Sequence, residues 1–396
     1  MNILFLTHRL PYSPNRGDRV RAFHLLHEMA GWARVDLVSL VHDEQEIAQA
    51  KTLAAVTRSV TVGRVPRTAN TILSFLNLAS TVPTTHTMLR SPGLDRSIEN
   101  VVAANRPDVI LCFCTGVGPL TETPSLRQVP LVLDMVDVDS QKWAGMAAAG
   151  APPLSWIYRR EARVLARYEA AVAARAKCTT VVTPKELESL RQLAPQARIE
   201  VVANGVDTTK LRRPDGLGQR AGVVFCGVMN YGPNVEAVKW FVTRVWPLVR
   251  AQAAGATFTI VGSEPTEDVK ALAREPGVTI TGAVDDIRPH LWNSAVSVAP
   301  LLTARGVQNK VMEAVAAGLP VVITPVVAEG LPGEIKAACT TAATEVAFSE
   351  AVVRLLGATQ QARDEIVARS SLDGLSWQRR LAPMRGLLEE AAGRIS

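Results

Sequence analysis

Two successive doubly wound α/β domains are what this sequence predicts, and three observations predict them. Short apolar runs rich in Val, Ile and Leu recur along the chain, the form taken by strands buried on both faces of a parallel sheet. Helical stretches alternate with those runs, and the alternation occurs twice, broken by a polar Arg/Pro/Gly-rich stretch at 210–220. The length also suffices. With 396 residues, 47% hydrophobic and 20% charged, the chain can build two sizeable cores and leaves no room for extensive disorder.

The first series places strands at 2–7, 34–40, 59–62, 108–114, 130–136, 179–183 and 199–203, with helices at 19–31, 94–105 and 154–176. After Asn204-Gly205-Val206-Asp207 the second series places strands at 222–226, 257–261, 278–281, 295–300 and 320–324. Its helices fall near 235–253, 265–274, 307–317 and 345–356. This predicts one Rossmann-like domain over 1–205 and another over 206–375, facing across a cleft. Ser376-Trp377-Gln378, then Leu381, Met384, Leu387 and Leu388, have the spacing of a last helix, 376–396, expected to cross back to the first domain. Ligands of such sheets bind at the carboxyl ends of strands, so the strand-end loops and the cleft carry the function.

Composition narrows the function classes. Met1-Asn2-Ile3-Leu4-Phe5-Leu6 is apolar with no cationic lead-in, as in a buried first strand rather than a signal peptide. No apolar run reaches the roughly 18 residues of a spanning helix. Five scattered cysteines (Cys112, Cys114, Cys178, Cys226 and Cys339) fit a reducing cytoplasm better than a disulfide framework or a zinc site. The net charge of +6 suits an anionic partner: a bilayer, a phosphorylated small substrate or nucleic acid. Nucleic acid is the poorest of these, because the basic residues are not interleaved with aromatics. Arg160, Arg163 and Arg167 share one face of the 154–177 helix, and 64–90 mixes Arg64, Arg67 and Arg90 with Ile72 to Leu78. Each segment is either a solvated face or a face for anionic headgroups or a lipid diphosphate.

The loop after the first strand, His8 to Arg21, holds four arginines (Arg9, Arg16, Arg19 and Arg21). Its prolines and Gly17 forbid helix until Asp18, which is expected to cap a helix beginning at Arg19. The loop either joins strand to helix or brings an anionic substrate to the helix N-terminus, and it lacks a dinucleotide fingerprint. In the second series, Gly227-Val228-Met229-Asn230-Tyr231-Gly232-Pro233-Asn234 leads into a helix from about Val235. Asn234 suits the cap of that helix, and Gly227 and Gly232 would let a ligand approach the backbone.

The richest segment is 299–320. A strand ends at Pro300, and a short helix is expected to open near Gly306 and stop at Gly318-Leu319-Pro320. The first amides of that helix lack intrahelical acceptors, so Gly306, Val307 and Gln308 stand where a phosphate is held. Lys310 adds a point charge one turn in. Glu313, three residues on and on the same side, is either a solvated acid or an acceptor for two hydroxyls of a sugar.

Together these segments resemble a GT-B retaining glycosyltransferase of glycosyltransferase family 4 (group 1). The resemblance rests on Pro300, Gly306 through Glu313-Ala314, Ala317-Gly318-Leu319-Pro320-Val321-Val322 and Asn204-Gly205-Val206-Asp207. Gly227, Thr281-Gly282-Ala283-Val284-Asp285-Asp286-Ile287 and the Arg16-Gly17-Asp18 loop add to it, so it spans nearly the whole chain. Segments 227–234 and 305–310 look closest to sugar transferases of exopolysaccharide and exosortase systems.

The resemblance implies transfer of a hexosyl group with retention from a nucleotide-diphosphate sugar of UDP or GDP type. It implies a lipid-linked saccharide acceptor and a cytoplasmic protein in peripheral contact with an anionic membrane. By the same resemblance Glu313 binds the nucleotide ribose, as the second glutamate of the family's Glu, seven residues, Glu motif. Gly306, Val307 and Gln308 hold the diphosphate with Lys310. Gly17 and Asp18 belong to the loop that closes over the donor, and Gly227, Asn230 and Val284 line it.

Two positions depart from the family pattern. Arg305 stands where the first glutamate contacts the hexose, and Asp137 stands nearest the place of the histidine at the anomeric centre. Asp137, Arg305 and Lys310 are therefore the candidate catalytic residues, with the cations stabilising the leaving diphosphate so that no metal is required. Asp137-Val138-Asp139 has the spacing of a metal-binding pair but lies in the acceptor half. Two rivals share the pattern: a nucleotide-sugar epimerase of similar build, and a catalytically silent sugar-nucleotide-binding subunit.

Overall fold

Seven parallel strands form the first sheet: β1 (Asn2–Thr7), β2 (Arg34–Val41), β3 (Ser59–Arg64), β4 (Val109–Phe113), β5 (Leu131–Val136), β6 (Cys178–Val181) and β7 (Ile199–Val201). Their order is β3-β2-β1-β4-β5-β6-β7, and β1 pairs with β2 in the register Asn2↔Arg34 and with β4 in the register Ile3↔Val109. The computed structural model describes residues 1–13, 17–304 and 306–395. Met1–Ala203 and Leu381–Ser396 make one compact unit, and Asn204–Arg380 makes the other.

In the first unit Ile3, Leu4, Phe5, Leu6, Ile110 and Leu111 are all within 1% of full burial, as the unbroken apolar runs require of a sheet covered on both faces. The first helix runs Gly17–Ala30, so Asp18 lies inside it and is not its cap. The helix Pro184–Leu193 goes unread in the sequence because Thr183 had been given to the preceding strand. Thr183 is instead its cap, accepting from the Glu186 amide at 3.1 Å with Pro184 in the first turn. The 64–90 segment folds into the amphipathic helix Arg67–Leu76 and shorter turns.

The second unit repeats the architecture with β8 (Val223–Cys226), β9 (Phe258–Val261), β10 (Val278–Ile280), β11 (Val296–Ala299), β12 (Val321–Ile323) and β13 (Cys339–Thr341), all parallel. Their order is β10-β9-β8-β11-β12-β13. Phe241 packs its ring 4.6 Å from that of Phe258 in the core. The expected 235–253 helix opens earlier, at Gly232, and passes through a π-helical turn at Phe241–Val245 before ending at Gln252. Asn234 therefore sits within the helix and does not cap it. The helix expected near Gly306 opens at Asn309, because Gly306 has a left-handed φ of 59° that an α-helix cannot accept. At the joint, Val206 pairs with Ser376. A side chain on Gly205 would come within 2.5 Å of the Trp377 Cα, so only glycine fits there.

Candidate active site

Strand order in the second sheet reverses between β8 and β11, the switch point where ligands of such sheets bind. The β8 loop and the helix Asn309–Ala316 meet there. Lys310 projects from the first turn of that helix, and its Nζ donates to Asn234 Oδ1 at 2.6 Å while lying 4.3 Å from the Phe225 ring centroid. Asn234 is itself buried and donates its Nδ2 to the Val228 carbonyl at 2.9 Å, which ties the lysine to the β8 loop. A Cβ on Gly227 would stand 2.7 Å from Asn234 Nδ2 and 3.1 Å from Lys310 Nζ, so the cation reaches this loop only because position 227 has no side chain.

Burial lowers the Lys310 pKa to about 8, against the opposing pull of Cys226 and Glu313. Burial likewise raises the Glu313 carboxyl, with Lys310 opposing, and pushes the Cys226 thiol up to about 12. Among the described residues nothing hydrogen-bonds the Glu313 carboxylate. Gln308, at the N-cap position, gives no side-chain cap, so the first amides of the helix lack that partner. The site thus offers a cation held by a neutral amide, a free carboxylate on the same helix face, and open backbone amides. That set is suited to a diphosphate flanked by hydroxyls.

The neighbouring loops stack closely on this one. Gly262 must be glycine, since a Cβ there would fall 1.7 Å from the Gly227 carbonyl oxygen, and Met229 N donates to Ser263 O at 2.8 Å. Asn230 is exposed and its Nδ2 donates to Glu264, so this amide is already engaged. Glu264 has a positive φ of 57°, a strained backbone for a residue with a side chain. Val284 is half-buried against the core of the unit. Asn204 Nδ2 reaches Asn309 Oδ1 at 3.4 Å, linking the Asn204-Gly205-Val206-Asp207 joint to the same helix.

In the first unit Asp137 follows β5, directly after Val136, whose φ of 69° is unusual for a β-branched residue. Its Oδ1 is buried with no hydrogen-bond partner. Burial raises the Asp137 pKa to about 6. Glu186 and Asp139 add to the rise, and Lys142 and Arg21 oppose it. Glu186 accepts from the Val138 amide at 2.7 Å and so fixes this turn. At the switch point of this sheet, between β1 and β4, His8 Nδ1 lies 3.2 Å from Cys114 Sγ, and its ring stacks on Phe113 at 5.7 Å.

Three of the four loop arginines serve the fold. Arg9 and Arg19 both ion-pair with buried Glu46, and Arg21 clamps buried Asp134 through Nε at 2.7 Å and Nη2 at 3.0 Å. The reading of that loop as an anion site is corrected to this extent. Arg305 and Arg16 lie outside the described residues, and of Gly17 and Asp18 only their place in the first helix is described. The structure therefore brings together Gly227, Lys310 and Glu313, with Gly306, Val307 and Gln308 leading into their helix. Sequence reasoning missed Asn234 as the partner of Lys310, and spacing gives no hint of it: the two residues belong to different helices. Among the described residues no three His, Cys, Asp or Glu side chains gather as a metal site.

Two parallel-sheet Rossmann-like domains in one chain, with a cationic strand-end loop, define the GT-B class of sugar-transferring enzymes. The family models agree. Residues 16–205 match "Glycosyl transferase 4-like domain" and residues 220–358 match "Glycosyl transferases group 1". The chain is a glycosyltransferase of group 1, with the GT-B fold. No curated protein sequence matches it.

Among solved structures it is similar to sucrose-phosphate synthase from Thermosynechococcus elongatus, with a TM-score of 0.70, 15% identity and 100% of both chains covered. It is similar to Anabaena HepE in complex with UDP-glucose, with a TM-score of 0.63, 14% identity and 100% of both chains covered. WaaG, a glycosyltransferase involved in lipopolysaccharide biosynthesis, aligns with a TM-score of 0.62 and 14% identity over 100% of this chain and 99% of that one. At these identities the likeness is one of fold.

Proposed function

We propose that this glycosyltransferase moves a hexosyl group from a UDP or GDP sugar to a lipid-linked saccharide with retention, in the synthesis of exopolysaccharide or another cell-surface glycan. The observation that carries the donor half is Lys310, poised at the β8 loop by a neutral partner, with Glu313 unbonded beside it. In this reading Lys310, Arg305 and the amides around Gly306, Val307 and Gln308 stabilise the departing diphosphate, and no metal is needed. Glu313 takes the ribose hydroxyls. Gly227, Asn230 and Val284 line the donor, and Gly17 and Asp18 close over it. Asp137 acts near the anomeric carbon, its unpartnered oxygen free to meet developing positive charge or the acceptor proton. HepE in complex with UDP-glucose and WaaG, involved in lipopolysaccharide biosynthesis, favour this donor and this kind of product.

The acceptor half rests on an apolar surface of the first unit. Ile72, Phe75 and Leu76 are 60–74% exposed on the Arg67–Leu76 helix, and Trp156 is 63% exposed at the start of Leu154–Arg175. Arg160 ties the two segments by donating to the carbonyls of Asn77, Ser80 and Val82. That arginine is thereby withdrawn from the headgroup role its position on the helix suggested. Exposed Arg64, Arg67, Arg159 and Arg163 lie in or beside the same segments, the pattern of an interfacial helix on an anionic bilayer. No helix of the described residues is long and apolar enough to cross a membrane. We place the enzyme in the cytoplasm at the inner face of the membrane, in keeping with five unpaired cysteines.

The test is to incubate the chain with UDP and GDP sugars, with and without a lipid-diphosphate saccharide in anionic vesicles. The expected result is nucleoside diphosphate release that requires the acceptor, with the donor's anomeric configuration kept in the product by NMR. An isomerised donor or free sugar without acceptor would instead establish the epimerase, and tight binding without turnover the silent subunit.

A further inference from the structure

At the amino-terminal end of β8, opposite Gly227, a cavity of about 620 Å³ opens beside the turn that joins the helices Glu345–Gly357 and Gln360–Ala368. Arg220 and Arg363 line it, at 7% and 5% exposure. Among the described residues neither guanidinium bonds a carboxylate. Arg220 donates to the carbonyls of Ala317 and Gly318, and Arg363 to those of Leu355 and Ala358 and to Gln360 Oε1. The Nε of each is buried with no partner. The carboxylate that faces both, Asp364, is exposed and held by Gln360 at 2.8 Å.

Burial brings Arg220 down to about 10, with Arg213 and Arg363 adding repulsion, and burial lowers Arg363 as well. Cations this deep are ordinarily paired with an anion, because an uncompensated buried charge is costly. The helix-end carbonyls explain how each arginine is anchored. They do not explain why two cations share one cavity. A third feature points the same way: the Gln360–Ala368 helix begins at the cavity wall, Thr359 caps it, and its first amides present the positive end of the dipole.

We propose that this cavity is a second anion site, separate from the donor loops, which takes a phosphate group, free or as a small monoester. Arg220, Arg363 and the helix start would meet the charge. Gln219, Gln252 and Thr359, also in its lining, offer neutral partners to the remaining oxygens.

The experiment is thermal unfolding of the full chain in inorganic phosphate, and separately in ribose 5-phosphate, against chloride at equal ionic strength. It is run on wild type, Lys310→Ala and Gln360→Glu. A ligand of the native state raises its melting temperature. The expected result is a rise of roughly 2–4 °C in wild type that survives Lys310→Ala, which removes the cation of the donor loop. Gln360→Glu places a carboxylate beside Arg363 in place of the amide that holds Asp364, so this variant should no longer respond to phosphate. A response to the monoester alone identifies an organic phosphate as the ligand, and an equal response to both identifies the phosphate group itself. No rise in wild type overturns the proposal. So does a rise lost in Lys310→Ala and kept in Gln360→Glu, which would put all the phosphate at the donor loop.

Discussion

Arg21 in the first unit and Lys310 in the second are both cations drawn in against a parallel sheet, and their partners differ in kind. Arg21 is 2% exposed and forks onto buried Asp134, which also accepts from Thr180 Oγ1 at 2.7 Å. Its charge is neutralised inside the protein. Lys310 meets the uncharged Asn234, so among the described residues its charge has no counter-ion at bonding distance and stays available to an anion. The same contrast holds for the acids: Glu46 is shared by two arginines, whereas Glu313 bonds nothing described. Pairing marks the residues that hold the fold, and incomplete pairing marks those left for a ligand.

Breaking the paired side should have the larger effect. Asp134→Ala removes the buried carboxylate that Arg21 forks onto, and loss of one partner of a buried pair costs about 3–5 kcal/mol. Denaturant unfolding should show this loss of stability, and a change under 1 kcal/mol would mean that Arg21 finds another partner. On the unpaired side the cost moves from stability to binding. Lys310→Ala should weaken UDP or GDP binding by about 1.5–3 kcal/mol, the range for a hydrogen bond to a charged group. Its unfolding midpoint should fall far less than that of Asp134→Ala, because the bonded partner left behind is the neutral Asn234 amide. Calorimetric titration reads the first quantity, and equal affinity in wild type and variant would remove Lys310 from the donor site.

The fold was legible because strands buried on both faces need nearly unbroken apolar runs, and such runs are visible in any single sequence. Helix starts were less so. Glycine at 306 is compatible with a helix start, but its φ of 59° takes it out of the helix, and the extended backbone of Gln308 sets the start at Asn309. Within the site, Lys310 and Glu313 were readable because they share a helix face, a local relation. What Asn234 does was not readable, since its partner comes from another helix and a buried amide leaves no periodic trace. The loop arginines left two readings open for the same reason: Glu46 and Asp134 reach them only through the tertiary fold. The bend at Val136 that sets Asp137 has no sequence signal at all.

Asp137 sharpens the comparison, because it lies in the same unit as Arg21 and Glu46 and its Oδ1 has no hydrogen-bond partner. Its pKa is raised to about 6 from the ordinary 3.8, so the folded state holds this proton more tightly than the unfolded chain does. The associated stability is fully present below about pH 4 and lost as pH rises to about 6. Above that, the buried carboxylate costs about 1–3 kcal/mol. Asp137→Asn removes the charge while keeping the shape. It should therefore unfold later than wild type at pH 7 and no differently at pH 4, while turnover drops. Greater stability together with full activity would make Asp137 a bystander.

The smallest effect concerns the Lys310 charge itself. With its pKa brought to about 8, the ammonium is mostly present at pH 7 and mostly absent at pH 9. An anionic diphosphate binds the charged form, so nucleotide affinity should hold steady up to about pH 7.5 and then fall. The fall is at most tenfold per pH unit, or about 1.4 kcal/mol. The bound nucleotide raises the lysine's own pKa, so Lys310 should take up protons on binding near pH 8 and none near pH 6, where it is already charged. The sign for stability is the reverse. A lysine with a lowered folded pKa destabilises the fold while it is charged, so the unliganded protein should gain stability between about pH 8 and pH 10. Cys226 and Glu313 are the acidic groups beside the lysine; Cys226, at about 12, keeps its proton throughout the window and so brings no charge to it. Calorimetry of UDP or GDP at pH 6, 8 and 9 in buffers of different ionisation enthalpy measures the proton uptake directly. Lys310→Met should abolish both the uptake and the alkaline fall, and an identical profile in that variant would assign the titration to another group and leave the lysine's charge without a part in donor binding.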